Sequence, residues 1–230
     1  MNVEVLDKIT FDTDFDTVMR SLRLHRPNSQ IERMVRELLD EARVVAKPKA
    51  VYKVSFVDNR GDDTVDIDGV RFGNGVLRKN LDCVHRVFPY IATCGTELDE
   101  FTIPAGDAMK AYCFDVIKTF AMGSAITFMS EHIQQKYSLG QASHMNPGEL
   151  DWSITQQKQL FSLFSDTERL IGVSLNGSNM MKPLKSRSGI YFPNETGYAS
   201  CQLCLEKRCP GRKAAYNPKL ARELMGSSRN

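Results

Sequence analysis

Hydrophobic positions recur at helical spacing in three long stretches and alternate in several short ones, and this contrast sorts the chain into helices and strands. Behind Pro27, the residues Ile31, Met34, Val35, Leu38, Leu39 and Ala42 share one helical face. Ser29-x-x-Glu32 reads as a capping box and Pro48 as a stop, which predicts a helix over 29–46. Met109, Tyr112, Cys113, Val116, Ile117 and Phe120 predict a long helix over 106–136. From Phe120 to Met129 that helix is apolar nearly all round, so it should lie at the centre with neighbours on several sides. Gly123-Ser124 inside it reads as a pair of small residues for close helix packing. Ser153-x-x-Gln156 caps a third helix with Leu160, Phe161 and Phe164 inward. Shorter helices are predicted at Thr96–Glu100 and after Asn217-Pro218.

Tyr52, Val54 and Phe56 alternate with Lys53 and Ser55, the pattern of a half-buried strand. Val65, Ile67, Asp68-Gly69 and Val70-Arg71-Phe72 form a hairpin signal. Val87–Thr93 is an apolar run ending at Cys94-Gly95. Ile171, Val173 and Leu175 suggest a strand that breaks at the turn Asn176-Gly177-Ser178, and Gly189–Phe192 a second short strand after it. Residues 1–27 are of mixed polarity, with a short helix or strand near Val18–Leu24. Short turns between irregularly alternating elements favour an α+β fold: a twisted, mainly antiparallel sheet with a long central helix and flanking helices. The expected organisation is a single domain over residues 1–230, with a Cys-rich loop at 199–213.

Composition removes several function classes. The 230 residues are 42% hydrophobic and 25% charged, as in a globular protein with a core of its own. Thirty basic residues against 28 acidic ones, a net charge of +2, give no electrostatic case for nucleic acid or a membrane surface. No apolar run reaches the roughly 18 residues a membrane span needs. The opening MNVEVLDKITFDTDFD is acidic and lacks an apolar centre, so a cytoplasmic location is expected. Glycine-rich phosphate loops, nucleophile elbows and HExxH are absent, which argues against a hydrolytic enzyme.

The unusual chemistry gathers near the C-terminus. Three of the six cysteines, Cys201, Cys204 and Cys209, stand in C-x2-C-x4-C spacing, while Cys83, Cys94 and Cys113 are scattered. In a reducing compartment such spacing suits a zinc or iron–sulfur centre, with a fourth ligand from elsewhere; the alternative is unligated surface thiols. Cys94, at a strand end, is the first candidate for that ligand, and Cys83 or Cys113 the second. The loop has little apolar content and no evident core, so metal ligation is the expected source of its order. Upstream, Asn146-Pro147-Gly148 is a tight turn flanked by His144 and Trp152, a setting that suits a small polar ligand. The cations Lys182, Lys185 and Arg187 read either as a solvated loop or as holders of a carboxylate or phosphate.

Taken in order, the passages EARVVAKPKAVYKV, IATCGTEL, GDAMKAYCFDVIKTF, HMNPGELDW and IGVSLNGSNMMKPLKSRSGIY, with the terminal thiols, resemble the cobalamin-dependent methionine synthase activation domain family. The resemblance covers most of the chain and is to the free-standing, single-chain relatives. It implies an activation-domain fold that binds S-adenosylmethionine in a shallow groove. It also implies a partner, a corrinoid-binding methyltransferase chain that carries the cobalamin, and an accessory role in reactivating it by reductive methylation. Matched residue by residue, the family's Arg-x-x-Pro-Gly-Tyr segment runs from His144 through Asn146, Pro147 and Gly148 to Glu149. His144 stands for the arginine and Glu149 for the tyrosine. A Thr-Glu-Ser falls on Asn176-Gly177-Ser178, a tyrosine contact on Tyr198, and an acidic helix residue near Met122. The alternative is a corrinoid-pathway binding or electron-transfer module that has lost S-adenosylmethionine and works through a Cys-ligated iron–sulfur or zinc centre.

Overall fold

The apolar run at 87–93 becomes most of the strand on which the molecule is built, Arg86–Thr93. The computed structural model describes residues 3–24, 27–104, 106–194, 199–207, 212 and 214–225. The strands are β1 (Val3–Leu6), β2 (Lys49–Lys53), β3 (Ser55–Arg60), β4 (Thr64–Ile67), β5 (Val70–Gly73), β6 (Arg86–Thr93), β7 (Ala142–Met145), β8 (Ser174–Leu175), β9 (Met181–Lys182) and β10 (Ser186–Pro193). The helices are α1 (Phe15–Leu22), α2 (Ser29–Val45), α3 (Gly75–Asn80), α4 (Thr96–Glu100), α5 (Ala108–Tyr137), α6 (Gln157–Ser162), α7 (Thr167–Ile171) and α8 (Pro218–Met225). The fold is α+β, with an antiparallel sheet around a long helix. No helix among the described residues is long and apolar enough to cross a membrane.

On one edge β6 pairs with β10, which pairs with β7. On the other edge it pairs with β2 and then β3 in a single register, from Lys49↔Thr93 through Tyr52↔Tyr90 to Phe56↔Arg86. β2 and β3 are thus one strand interrupted at Val54, and the sheet forks there. β1 adds to the first half, and the β4–β5 hairpin to the second. The hairpin turns on Asp68 (φ 47°) and Gly69 (φ 77°), the left-handed pair that the Asp-Gly signal implies. The interruption also undoes the expected alternation. Ser55 is buried and Phe56 is 42% exposed, because the helix-side core reaches Val54 but not Phe56.

α5 is 30 residues long, about 45 Å at 1.5 Å per residue. Six of its seven buried positions, Cys113, Ile117, Ala121, Ala125, Met129 and Ile133, fall every fourth residue, with Phe114 beside the first. Four residues overshoot a turn by about 40°, so this stripe winds around the helix. Its first half packs with α1, α2 and α4; its second half lies on β2, β6 and β10 through Tyr52, Phe88, Tyr90 and Tyr191. That winding accounts for a helix apolar nearly all round. The N-terminus of α2 departs by one residue from the expected cap. Asn28, rather than Ser29, is the N-cap, and its side chain accepts from Ile31 N at 3.0 Å.

Gly123 does not serve close packing as expected. A Cβ placed there meets nothing within 4 Å. Gly123→Ala should therefore stabilise the protein by about 0.5–1 kcal/mol through the helix preference for alanine. Urea denaturation of the two proteins measures this, and a loss of stability would mean that the open space beside Gly123 matters.

The opposite sheet face carries a second core, with Val51, Ile91, Met145, Ile190, Phe192, Leu160 and Trp152 under α3, α6, α7 and α8. Here the expected strand over 171–175 is corrected. Asp166 caps α7 by accepting from Arg169 N, and Gly172 ends it with φ 75°, so Ile171 is helical and only Ser174–Leu175 pairs, with β9. Both ends of that short helix carry the chemistry of a cap, and this outweighs an alternation three residues deep.

β1 is held by Glu4, whose carboxylate accepts from Tyr52 Oη (2.7 Å) and Lys136 Nζ (2.5 Å) and meets His132 Nε2 (2.8 Å). Burial pushes the Glu4 carboxyl up, but the hydrogen bonds from Lys136, Tyr52 and His132 outweigh it and leave its pKa below the ordinary 4.5. A carboxylate lowered by folding adds stability that is complete above the unfolded value and is lost as pH falls through the folded one. Glu4→Gln should thus cost stability at neutral pH and much less once the pH is well below 4.5. Urea midpoints of the two proteins that differ by the same amount at both pH values would refute this.

Candidate functional site

β7 is shorter than β10, so the sheet edge is open beyond Met145, whose partner is Ile190. The chain leaves β7 as the turn Asn146-Pro147-Gly148 and stays beside that open edge. Gly148 takes φ 94°, and its N–H donates to Trp152 O at 2.7 Å, while Glu149 N donates to Asn146 O at 3.1 Å. Trp152 is buried edge-on to Phe72 and donates from Nε1 to Gln156 Oε1 at 3.1 Å. Gln156 does not close a capping box with Ser153; its amide pairs with the backbone of Gly73 at 2.9 and 2.8 Å. The turn is thereby pinned to β5.

Between the turn, the open edge of β10 and residues Met180–Leu184 lies a half-open cleft of about 210 Å3. Its lining includes Asn146, Pro147, Glu149, Gln157, Ser186, Arg187 and Ser188, with Ile154, Met180, Met181 and Leu184 as the apolar part. Tyr90, fully buried, donates to Asn146 Oδ1 at 2.7 Å. Asn146 Nδ2 donates to Glu149 Oε2 at 2.9 Å, and Arg187 Nη2 donates to Glu149 Oε1. Both carboxylate oxygens are thus engaged from the protein side. Arg187, which lines the cleft, hydrogen-bonds through Nη2. Burial alone would lower the pKa of Arg187, but Tyr90 and the Glu149 carboxylate outweigh it and raise it. Burial pushes the Tyr90 hydroxyl up, so it remains a proton donor.

The crossing of β7, β6 and β10 depends on Gly189. A Cβ there would run into Asn146 Oδ1, would lie 2.5 Å from Met145 O and 3.1 Å from the Tyr90 ring. Its missing side chain lets Tyr90 reach the amide.

Of the residues expected to bind a ligand, Asn146, Pro147 and Glu149 line the cleft, and Gly148 shapes the turn. His144 is paired on β7 with Tyr191, and its carbonyl accepts from Ser200 Oγ at 3.0 Å; it is not among the lining residues. Asn176 and Ser178 form the exposed tip of the β8–β9 ribbon. The Asn176 amide oxygen accepts from Ser178 N and Met180 N, so it shapes the ribbon and does not line the cleft. Tyr198 and Cys209 lie outside the described residues. The three cations also separate: Lys185 pairs with Asp115 at 2.8 Å, Lys182 is exposed, and Arg187 stands in the cleft as part of a strand, not a solvated loop. Tyr90 escaped the sequence reading. Gly189 was legible in principle, because glycine within a strand often marks a close approach.

Among the described residues, Cys94 is not brought together with Cys201 and Cys204. Cys94 lies fully buried with Leu98, Cys113, Phe114 and Ile117 on the helix side of the sheet, its Sγ directed to Gly95 O at 3.5 Å. Burial pushes its pKa up to about 11, against the thiolate a metal requires. Leu203, between Cys201 and Cys204, belongs to the core on the other side of the sheet. Among the described residues no three His, Cys, Asp or Glu side chains are placed to hold a metal ion. The loop also has a core after all. Leu203 is 1% exposed, and Arg212 donates to the carbonyls of Cys201 (3.0 Å), Cys204 (2.7 Å) and Glu206 (2.7 Å).

The architecture has a solved counterpart. It is similar to the MetH reactivation domain. That domain's crystal structure, bound to AdoHcy, superposes with a TM-score of 0.57 over 84% of this chain and 79% of that one, at 15% identity. The likeness is one of fold. No family model matches the chain, and no curated protein does.

Proposed function

We propose that this chain, acting as one domain over residues 1–230, binds S-adenosylmethionine in the cleft and presents its methyl group to a corrinoid on a partner methyltransferase chain. It would thereby serve the reductive reactivation of that cytoplasmic enzyme. The observation that carries this reading is the line Tyr90–Asn146–Glu149–Arg187 beside an apolar rim. A guanidinium and a carboxylate side by side match the carboxylate and ammonium of an amino-acid end group. Arg187 on β10, paired with Glu149, would supply the guanidinium that family matching seeks at position 144. Met180, Leu184 and Ile154, exposed by 47%, 70% and 37%, offer apolar surface to a nucleoside.

The half-open shape suits delivery better than enclosure, because a bound sulfonium methyl stays within reach of a large planar ring. The corrinoid of the partner would supply the reactivity, and this chain placement alone. AdoHcy bound to the structurally similar domain supports a ligand of this class. Calorimetry with S-adenosylmethionine and with S-adenosylhomocysteine tests the reading. Binding in the micromolar range, with each ligand displacing the other, is expected; absence of heat and of competition for both would overturn it.

A further inference from the structure

Three successive backbone bonds of the i to i+3 type run through the thiol loop: Gln202 N to Ala199 O (2.8 Å), Leu203 N to Ser200 O (3.1 Å) and Cys204 N to Cys201 O (3.3 Å). Such a turn advances about 2 Å per residue with about three residues per turn, so residues i and i+3 eclipse one another about 6 Å apart. Cys201 and Cys204 are such a pair. A separation of that size falls in the span of about 4.4–6.8 Å between Cα atoms that a disulfide bridges. Both are partly exposed thiols, unlike the buried Cys94 and Cys113.

The turn is held on both sides. Leu203 anchors it in the core, and the Arg212 guanidinium bonds the carbonyls of both cysteines. Ser200 Oγ ties it to the backbone of His144, and Cys201 is close enough to Arg187 to act on its charge. Cys201 therefore stands near Arg187, on a scaffold that holds the turn carrying both thiols.

We propose that Cys201 and Cys204 form a reversible dithiol–disulfide site that exchanges with small disulfides of the glutathione class. One thiolate attacks the small disulfide, forming a mixed disulfide and releasing one small thiol. The second thiolate then attacks the protein sulfur of that mixed disulfide, closing the Cys201–Cys204 bond and expelling the second small thiol. Two protein thiols are oxidised, one small disulfide is reduced to two thiols, and the two protons pass to the departing thiolates. In a reducing compartment the dithiol is the resting form. The proposal is independent of the ligand assigned to the cleft and uses no ligand other than Cys201 and Cys204.

The test is made on the full chain carrying Cys83→Ser and Cys209→Ser, equilibrated without oxygen in graded mixtures of reduced and oxidised glutathione, then alkylated and weighed intact and after proteolysis. The expected product is lighter by two hydrogens, cross-linked between Cys201 and Cys204, half-formed at a definite glutathione ratio and reversed by dithiothreitol. Adding Cys204→Ser should replace it with a glutathione adduct on Cys201, a readout that does not depend on stability. Two thiols unchanged across the series would overturn the proposal. So would glutathione adducts on both cysteines without closure, or a pair locked by stoichiometric zinc or iron and inert to exchange.

Discussion

Arg187→Met will weaken S-adenosylmethionine binding by about 10- to 100-fold, the loss of one hydrogen-bonded charge contact worth about 1.5–3 kcal/mol. The effect is large because the guanidinium is directed by groups that cannot easily re-aim. Glu149 holds Nη2, Asn146 holds Glu149, and buried Tyr90 holds Asn146. Folding stability should change far less, since the Arg187 and Glu149 side chains keep 35% and 36% of their surface and solvent screens the pair. Arg187→Lys sharpens the reading: it keeps the charge but loses the planar fork, so affinity should fall between the two. Calorimetry gives the affinities and thermal unfolding the stabilities. Equal affinity in all three proteins would remove Arg187 from the site, and with it the chief reason for placing the ligand there.

Gly189→Ala is expected to be the most damaging single methyl in the sheet, costing about 3 kcal/mol or about 6–12 °C in Tm. The added carbon would meet Met145 O at 2.5 Å and the Asn146 amide oxygen. Met145 O belongs to the backbone of β7, so a side-chain rotation cannot relieve the contact; β7 must move away from β10. That movement would also part Asn146 from Tyr90, so binding should be lost together with stability. The pairing of these two losses separates this substitution from Arg187→Met, where only binding should fall. A Gly189→Ala protein with unchanged Tm would show that β7 and β10 are not held as closely as the register implies.

The sequence by itself determined the elements whose signals are local. The apolar run at 87–93 became most of β6, the shared partner of β2, β3 and β10. Asp68-Gly69 carried the left-handed conformation its turn needs, and Asn217-Pro218 began α8, with the Asn217 side chain accepting from Lys219 N and Leu220 N. The α+β class and the central helix were legible for the same reason, since propensity and periodicity act within a dozen residues. The turn at 146–149 was legible as well, because proline and glycine mark it.

The rest was decided by contacts between residues far apart in the chain. Whether Phe56 was buried depended on how far the helix-side core extends, which no alternation records. Arg187 became a candidate ligand contact because β7 stops three positions short of it and Glu149 lies across the gap; in the sequence it was one of three similar cations. Cys94 packs with the helices on one face of the sheet and Leu203, between Cys201 and Cys204, in the core on the other, while Arg212 bonds the carbonyls of both cysteines. Position in the chain sets which groups are available. Only the packing of one element on another sets which of them meet, because the energy of burial and of a charge pair depends on separation in space, not along the chain.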